Sequence, residues 1–185
     1  MGKLEIRRTK ATDVEAIHTF FRLVITDTFE KEGIADLHDD IEHEIASKHD
    51  YLSQDLESQG RQRYFLIAWM EGKIAGTIEY GPSSSLIDES TGHALRDVIE
   101  VGTVLVHPEL HGQGIGSTLW STMLLALQAR GISQFCLDSG YRNAQRIWTR
   151  KFGEADYVLD NHWGEGQHHM IWSRKVEDIS ISFKI

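Results

Sequence analysis

Apolar residues recur at Val14, Ile17, Phe21, Val24 and Ile25, the spacing of one helix face, and predict a helix over 11–30. The stretch before it, KLEIRRTK, reads as a first strand. Residues 35–58 form a second, acidic helix with a break expected near His49 and Asp50. RYFLIAWM and KIAGTIEYG read as two strands joined by the short connection EGK. PSSSLIDESTGHALR, residues 82–96, reads as a polar loop, disordered or a mobile lid. DVIEVGTVLVHP is a long apolar strand ended by Pro108. A helix follows with Ile115, Leu119, Met123 and Leu127 on one stripe, Trp120 and Leu124 beside it, and Gly131 as its stop. SQFCLDSG is a strand, and NAQRIWTRKFG a helix closed by Gly153. DYVLDNHW and HHMIWSRKV, joined by GEGQ, read as a closing hairpin. The tail DISISFKI alternates like a strand without an evident partner. No repeat or linker interrupts this order, βααβββ–αβ–αββ. It describes one α/β domain over residues 1–185, its core at about 3–176 and its tail at 177–185.

Composition narrows the setting. With 41% hydrophobic and 25% charged residues the chain has the makeup of a soluble globular domain. No apolar run approaches the ~20 residues that span a bilayer, so no membrane association is expected. The segment MGKLEIRRTK lacks the apolar core of a secretory signal, and MGKLEI lacks the Ser or Thr of a myristoylation site. The single cysteine, Cys136, excludes intramolecular disulfides and cysteine-rich metal sites. A cytoplasmic location is the expectation.

The net charge of -9 is concentrated. Glu30, Glu32, Asp36, Asp39, Asp40, Glu42, Glu44, Asp50, Asp55 and Glu57 face only Lys31 and Lys48 within their segment. Such a surface repels nucleic acid and attracts cations, unless it is simply a solvated helix face.

The segment HGQGIGS sets Gly112, Gly114 and Gly116 at the mouth of a helix, where each glycine costs helicity about 0.8–1 kcal/mol relative to alanine. A helix N-terminus carries unpaired amides and partial positive charge, and glycines let an anion such as a diphosphate approach them. A P-loop would need a lysine after the last glycine, where Ser117 stands. A dinucleotide fold would need the third glycine one residue later. Asp138 suits that fold in position, but only 69 residues follow Gly116.

VLVHPELHGQGIGSTLW resembles the acetyl-CoA signature of the GNAT N-acetyltransferase superfamily: an apolar strand, V-x-P, then Gln/Arg-x-x-G-x-Gly/Ala opening a helix. SGYRNAQRIWTRKFG is similar to the family's next segment, and the element order matches from Lys3 to Lys175. The resemblance implies an α/β (α+β) GNAT fold, a single domain whose mixed, mostly antiparallel sheet splays at the fourth strand between flanking helices. It implies that the amides of His111, Gly112, Gln113, Gly114, Ile115, Gly116 and Ser117 hold the CoA pyrophosphate. It also implies that Leu105 and Val106 pair with the pantetheine arm and that Asn143 touches it from the other side. Two positions depart from the family. His111 replaces the usual Gln or Arg, and Thr149, beside Trp148, replaces the general-acid tyrosine. Tyr141 is the candidate substitute.

Acetyl transfer from a thioester needs a neutral amine and a group that accepts its proton. Glu100 interrupts the apolar run VIEVGTVLV; burial there would raise its pKa toward the range of an efficient base. Several members of the family carry a catalytic glutamate about there, whereas the plainer role is a structural pair with Arg96 or Arg63. The Val106 amide is the family's oxyanion donor. Ten histidines raise the question of a metal. Adjacent His168 and His169 on a strand point to opposite faces, and neither His38 with His43 nor His43 with Asp39 completes an H-E-x-x-H pattern. No metal is expected. NHWGEGQ lines the acceptor pocket, with Trp163 as a wall and Glu165 as an anion. These features describe an acetyl-CoA-dependent N-acetyltransferase acting on a primary amine of a cationic small molecule or of a peptide or protein. The expectation includes no nucleic-acid partner and allows a homodimer. A non-catalytic acyl-CoA-binding or sensing domain is the alternative, and a nucleotide-binding module a third.

Overall fold

The computed structural model describes residues 3–183. Seven strands form a mixed, mostly antiparallel sheet in the order β1-β2-β3-β4-β5-β7-β6, with helices connecting them. The chain divides into two compact units. The first holds residues through Tyr80, Thr103–Leu125 and the described residues from Ile181; the second holds Gly81–Gly102 and Ala126–Ser180.

In the first unit, β1 (Leu4–Arg8), β2 (Tyr64–Met70) and β3 (Lys73–Pro82) pair antiparallel. The β2–β3 connection is tighter than EGK suggested. Glu71 and Gly72 both take positive φ, 51° and 80°, which is the two-residue turn that matches strand twist. Helices α1 (Val14–Glu32) and α2 (His38–Ser58) pack on each other and bury Ile17, Phe21, Ile41, Ile45 and Leu52. Asp55, fully buried on α2, accepts hydrogen bonds from Arg8, from the Thr9 hydroxyl and from the Phe65 amide. One carboxylate thus ties α2 to β1 and β2.

The break expected at His49 does not occur; α2 is continuous. The reason is tertiary, because the His49 ring stacks on His18 at 3.6 Å and lies 6.2 Å from Phe21. The part of β4 (Ile99–Val106) from Thr103 onward and α4 (Ile115–Ala129) as far as Leu125 also belong to this unit. The expected α4 stripe of Ile115, Leu119, Met123 and Leu127 is buried, as are Trp120 and Leu124.

In the second unit, β5 (Gln134–Ser139) pairs antiparallel with β7 (His169–Lys175), and β6 (Tyr157–Leu159) with β7. The parallel pair joins Ile99 to Phe135 and Glu100 to Cys136. Here the segment read as a mobile loop is instead ordered. It contains α3 (Ser85–Ser90), capped by the Ser84 hydroxyl, and Ile87 and Leu95 pack with Cys136 and Ile171 in a buried cluster. Two apolar anchors outweigh the surrounding Ser, Thr and Gly. The final hairpin is also looser than expected, since β6 ends at Leu159 and residues 160–168 connect it to β7. Helix α5 (Arg142–Phe152) ends at Gly153 as read. The tail makes a short 3-10 turn at Val176–Asp178 and no strand through Phe183. Its Ser182 carbonyl accepts from the Ser121 hydroxyl at 2.6 Å; the rest of the expected strand, 184–185, lies outside the described residues. Among the described residues no helix is long and apolar enough to cross a membrane.

The stacked histidines make stability pH-dependent. Burial, and then the proximity of His18 and Arg22, hold the pKa of His49 below its ordinary 6.5. The unfolded chain therefore binds this proton more readily than the folded one. The stability is fully present above about pH 6.5 and is lost as pH falls below it. Thermal unfolding between about pH 7 and pH 5 should show a shallower loss for His49→Phe, which keeps an aromatic ring beside Phe21 without the titration. Parallel slopes for the two proteins would remove His49 as the cause.

Candidate active site

The chain leaves β4 at Val106, turns through a short 3-10 segment, Pro108–Leu110, and enters α4 at Ile115. Gly112 and Gly114 take φ of 77° and 81°, a region costly for residues with a Cβ, and a Cβ built on either meets no atom within 4 Å. These two glycines are therefore required by backbone conformation, and they leave open space above the peptide planes. Gly116 differs. Its φ is ordinary and a Cβ there would touch only Val106 Cγ2, at 3.5 Å. The first turn of an α-helix has no internal acceptors for its amides. From Gly112 onward, Thr118 is the first described residue whose amide donates backward, to Gly114 O at 2.9 Å. The segment therefore fits an anion by its chemistry: open amides, no Cβ cover, and the positive end of a helix dipole.

His111 occupies the place of the family's Gln or Arg but turns back. Its Nε2 lies 3.0 Å from the Val106 carbonyl, which only accepts, so Nε2 carries the proton in this bond. The ring ties the start of the glycine loop to the end of β4. Leu105 and Val106 are half-buried on that strand, and the His107 amide donates to Ala75 O at 2.9 Å. A feature missed in the sequence lies across from them on β3. A Cβ on Gly76 would come within 2.8 Å of the Leu105 carbonyl and 2.9 Å of Leu119 Cδ1. Glycine at this position lets β3, β4 and α4 close together.

In the second unit, Glu100 is half-buried opposite Cys136, and its Oε2 accepts from the Ser84 amide at 2.7 Å. Of the arginines considered as its partners, Arg96 binds Asp88 and Arg63 binds Glu79. Cys136 is buried, and burial beside Glu100 and Asp138 pushes its thiol far up, leaving an inert group. Tyr141 caps α5; its amide donates to Ser139 Oγ at 3.0 Å and its carbonyl accepts from Gln145 N at 2.9 Å. Asn143 is exposed in the first turn of α5, Thr149 is half-buried, and Trp148 packs near Phe152 in the core.

The fold joins Trp163 to one of the histidines near it in sequence. His169 is buried, its Nε2 2.9 Å from Asp138 Oδ2 and its Nδ1 accepting from Trp163 Nε1 at 3.0 Å. Because an indole only donates, His169 must carry its proton on Nε2 and direct it at Asp138. The exposed Trp163 is thereby oriented on the 160–168 loop, while Glu165 is exposed. His168 turns to the other side, near Asp160 at 3.2 Å. No signal of spacing links Asp138 to His169; the β5–β7 ladder does. Among the described residues no group of three or more His, Cys, Asp or Glu is placed to hold a metal ion.

The acidic segment is only partly a free surface. Asp55 is buried and paired, Glu42 takes both arms of Arg22 at 2.6 and 2.9 Å, and Glu44 lies 3.1 Å from Lys48. Asp36, Asp39, Asp40, Asp50 and Glu57 remain exposed.

Comparison with known proteins accords with this geometry. A search of curated protein sequences finds no match. Among solved structures, the chain is similar to the PaiA N-acetyltransferase of Thermoplasma acidophilum, in complex with coenzyme A, at 19% identity and a TM-score of 0.67, over 94% of this chain and 99% of that one. It is similar to the ribosomal-protein-alanine N-acetyltransferase of Brucella melitensis at 20% identity and a TM-score of 0.65, over 92% and 99%. A chimera of the spermidine N-acetyltransferase SpeG of Vibrio cholerae and hSSAT matches at 12% identity and a TM-score of 0.63, over 95% and 96%. At these identities the likenesses concern the fold. The family model described as Acetyltransferase (GNAT) family matches residues 26–153, a span that contains β4, the glycine loop and α4, and this chain belongs to that family.

Proposed function

We propose that the protein transfers an acetyl group from acetyl-CoA to a primary amine carried by a cationic small molecule or by a peptide or protein. The observation that carries this reading is the glycine loop, with its open amides at the N-terminus of α4 directly behind β4. The amides of His111–Ser117 hold the pyrophosphate, Leu105 and Val106 offer backbone to the pantetheine, and Asn143 adds a side-chain contact to it. The Val106 amide stabilises the oxygen that becomes negative when the amine attacks the thioester. Glu100 accepts the amine's proton directly or through a water, and the Tyr141 hydroxyl returns a proton to the leaving thiolate. The likeness to a ribosomal-protein-alanine and a spermidine N-acetyltransferase supports an amine acceptor without choosing between protein and small molecule. Exposed Asp36, Asp39 and Asp40 at the start of α2 supply the attraction for a cation.

Calorimetry with CoA tests the cradle. Gly114→Val places a β-branched residue at φ 81° and fills the open space, so CoA affinity should fall at least about 100-fold, with some loss of stability from strain. Normal CoA binding by this variant would refute the cradle. Tight binding by the wild type without thiol release across a panel of amines would mean a sensing domain instead.

Glu100→Gln should lower turnover about 10²-fold at neutral pH with CoA affinity nearly constant, and part of the rate should return at high pH, where more amine is already neutral. An unchanged pH–rate profile would remove Glu100 from the base role. Replacing Asp36, Asp39 and Asp40 together by Asn should raise KM for a cationic acceptor severalfold at low salt, leave kcat alone, and flatten the salt dependence. Equal KM values at low salt would show that these charges serve the surface only.

A further inference from the structure

Thr103 stands in the middle of β4 with φ of 49°. A β-branched residue in a strand avoids that conformation, and such outliers persist only where the surroundings over-determine them. The hydroxyl and the carbonyl of Thr103 are both held. Its hydroxyl donates to Glu79 Oε1 at 3.1 Å, and its carbonyl accepts from the Thr77 hydroxyl at 2.8 Å. Thr103 and Glu79 are both buried.

Glu79 is itself anchored. Its other oxygen accepts from Arg63 Nη1 at 2.7 Å, Arg63 donates through Nε to Gln54 Oε1 at 3.2 Å, and the guanidinium lies 3.7 Å from the centre of the Tyr51 ring. Burial pushes the Glu79 carboxyl above the ordinary range against the pull of Arg63. A buried ion pair contributes little net stability compared with apolar side chains of the same volume, so stability alone gives no reason for one here. Its location does. Downstream of Thr103 the chain is held again where the His107 amide donates to Ala75 O, and where His111 closes on the Val106 carbonyl. Val104, Leu105 and Val106 lie between these fixed points, half-buried.

We infer that Glu79 is a positioning residue for co-substrate binding: through the Thr103 hydroxyl it holds β4 in its left-handed turn and so aims the backbone of Leu105 and Val106. The inference rests on the proposed role of that backbone in taking the pantetheine. Glu79 touches no substrate itself. Its effect passes through one hydrogen bond, which makes it separable from a general contribution to the core.

The test is a double-mutant cycle read by CoA calorimetry and thermal unfolding on the whole chain. Glu79→Leu, which is close in volume but cannot hydrogen-bond the Thr103 hydroxyl, should weaken CoA binding about tenfold or more, the scale expected when a binding group is misplaced by a fraction of an ångström. Thr103→Gly tolerates positive φ but removes the hydroxyl through which Glu79 acts, so it should itself lose CoA affinity to a similar degree. In that background Glu79→Leu should have almost no further effect on affinity. An equal loss in both backgrounds, or a lower Tm with unchanged affinity, would overturn the inference and leave Glu79 as a core ion pair. Thr103→Val and Thr103→Ser give a second reading with the Arg63–Glu79 pair intact. The valine should lose affinity and the serine should recover most of it, whereas equal affinities would again overturn the clamp. Failure of the wild type to bind CoA would overturn the cradle reading itself, a different result from any of these.

Discussion

Amides in the first turn of α4 have no acceptor within their helix, and everything around them follows from leaving them accessible. Gly112 and Gly114 take conformations that residues with a Cβ rarely adopt, so the loop curls without covering the amides. The loop needs a firm base, because a helix end held at an uncertain distance from β4 would bind nothing well. The His111 ring on the Val106 carbonyl supplies part of it, and the close fit of Gly76 against Leu105 and Leu119 supplies more. An open site thus rests on a tightly packed support.

The same unit handles its charges in two ways. Asp55 and Glu79 are buried carboxylates with full sets of donors, each joining elements distant in sequence: Asp55 links α2 to β1 and β2, and Glu79 links β2's neighbour Arg63 to β4. Removing one partner from such a group leaves a polar atom without compensation in the interior. The acids at the start of α2 are different, being exposed and free to act at a distance, within the screening of salt. A count of carboxylates along the chain treats Asp36 and Asp55 alike, although one acts on the solvent and the other on the core.

Periodicity carried most of the architecture. Apolar positions at helical spacing marked α1 and α4, alternating and apolar runs marked β2, β3 and β5, and glycine with V-x-P marked the loop between β4 and α4. These are local signals, written in neighbouring residues, and they survive folding unchanged. Where local signals were weak, the reading went astray. Residues 82–96 carry mostly Ser, Thr, Gly and charge, yet Ile87 and Leu95 suffice to fix them once Cys136 and Ile171 offer a surface. The break expected near His49 and Asp50 is absent because His49 stacks on His18 of α1.

By itself, then, the sequence determined the order of elements and the helix mouth with its glycines. Tertiary structure alone decided which side chains distant in sequence meet. The positive φ of Thr103 and its bond to Glu79, the pairing of Asp138 with His169 through the β5–β7 ladder, and the division of the acids into buried and exposed are all such meetings. The reason is physical. A helix stripe or a strand repeat is set by spacing of a few residues, whereas hydrogen bonds between Asp55 and Arg8, or Asp138 and His169, span tens of residues and exist only after the chain has folded.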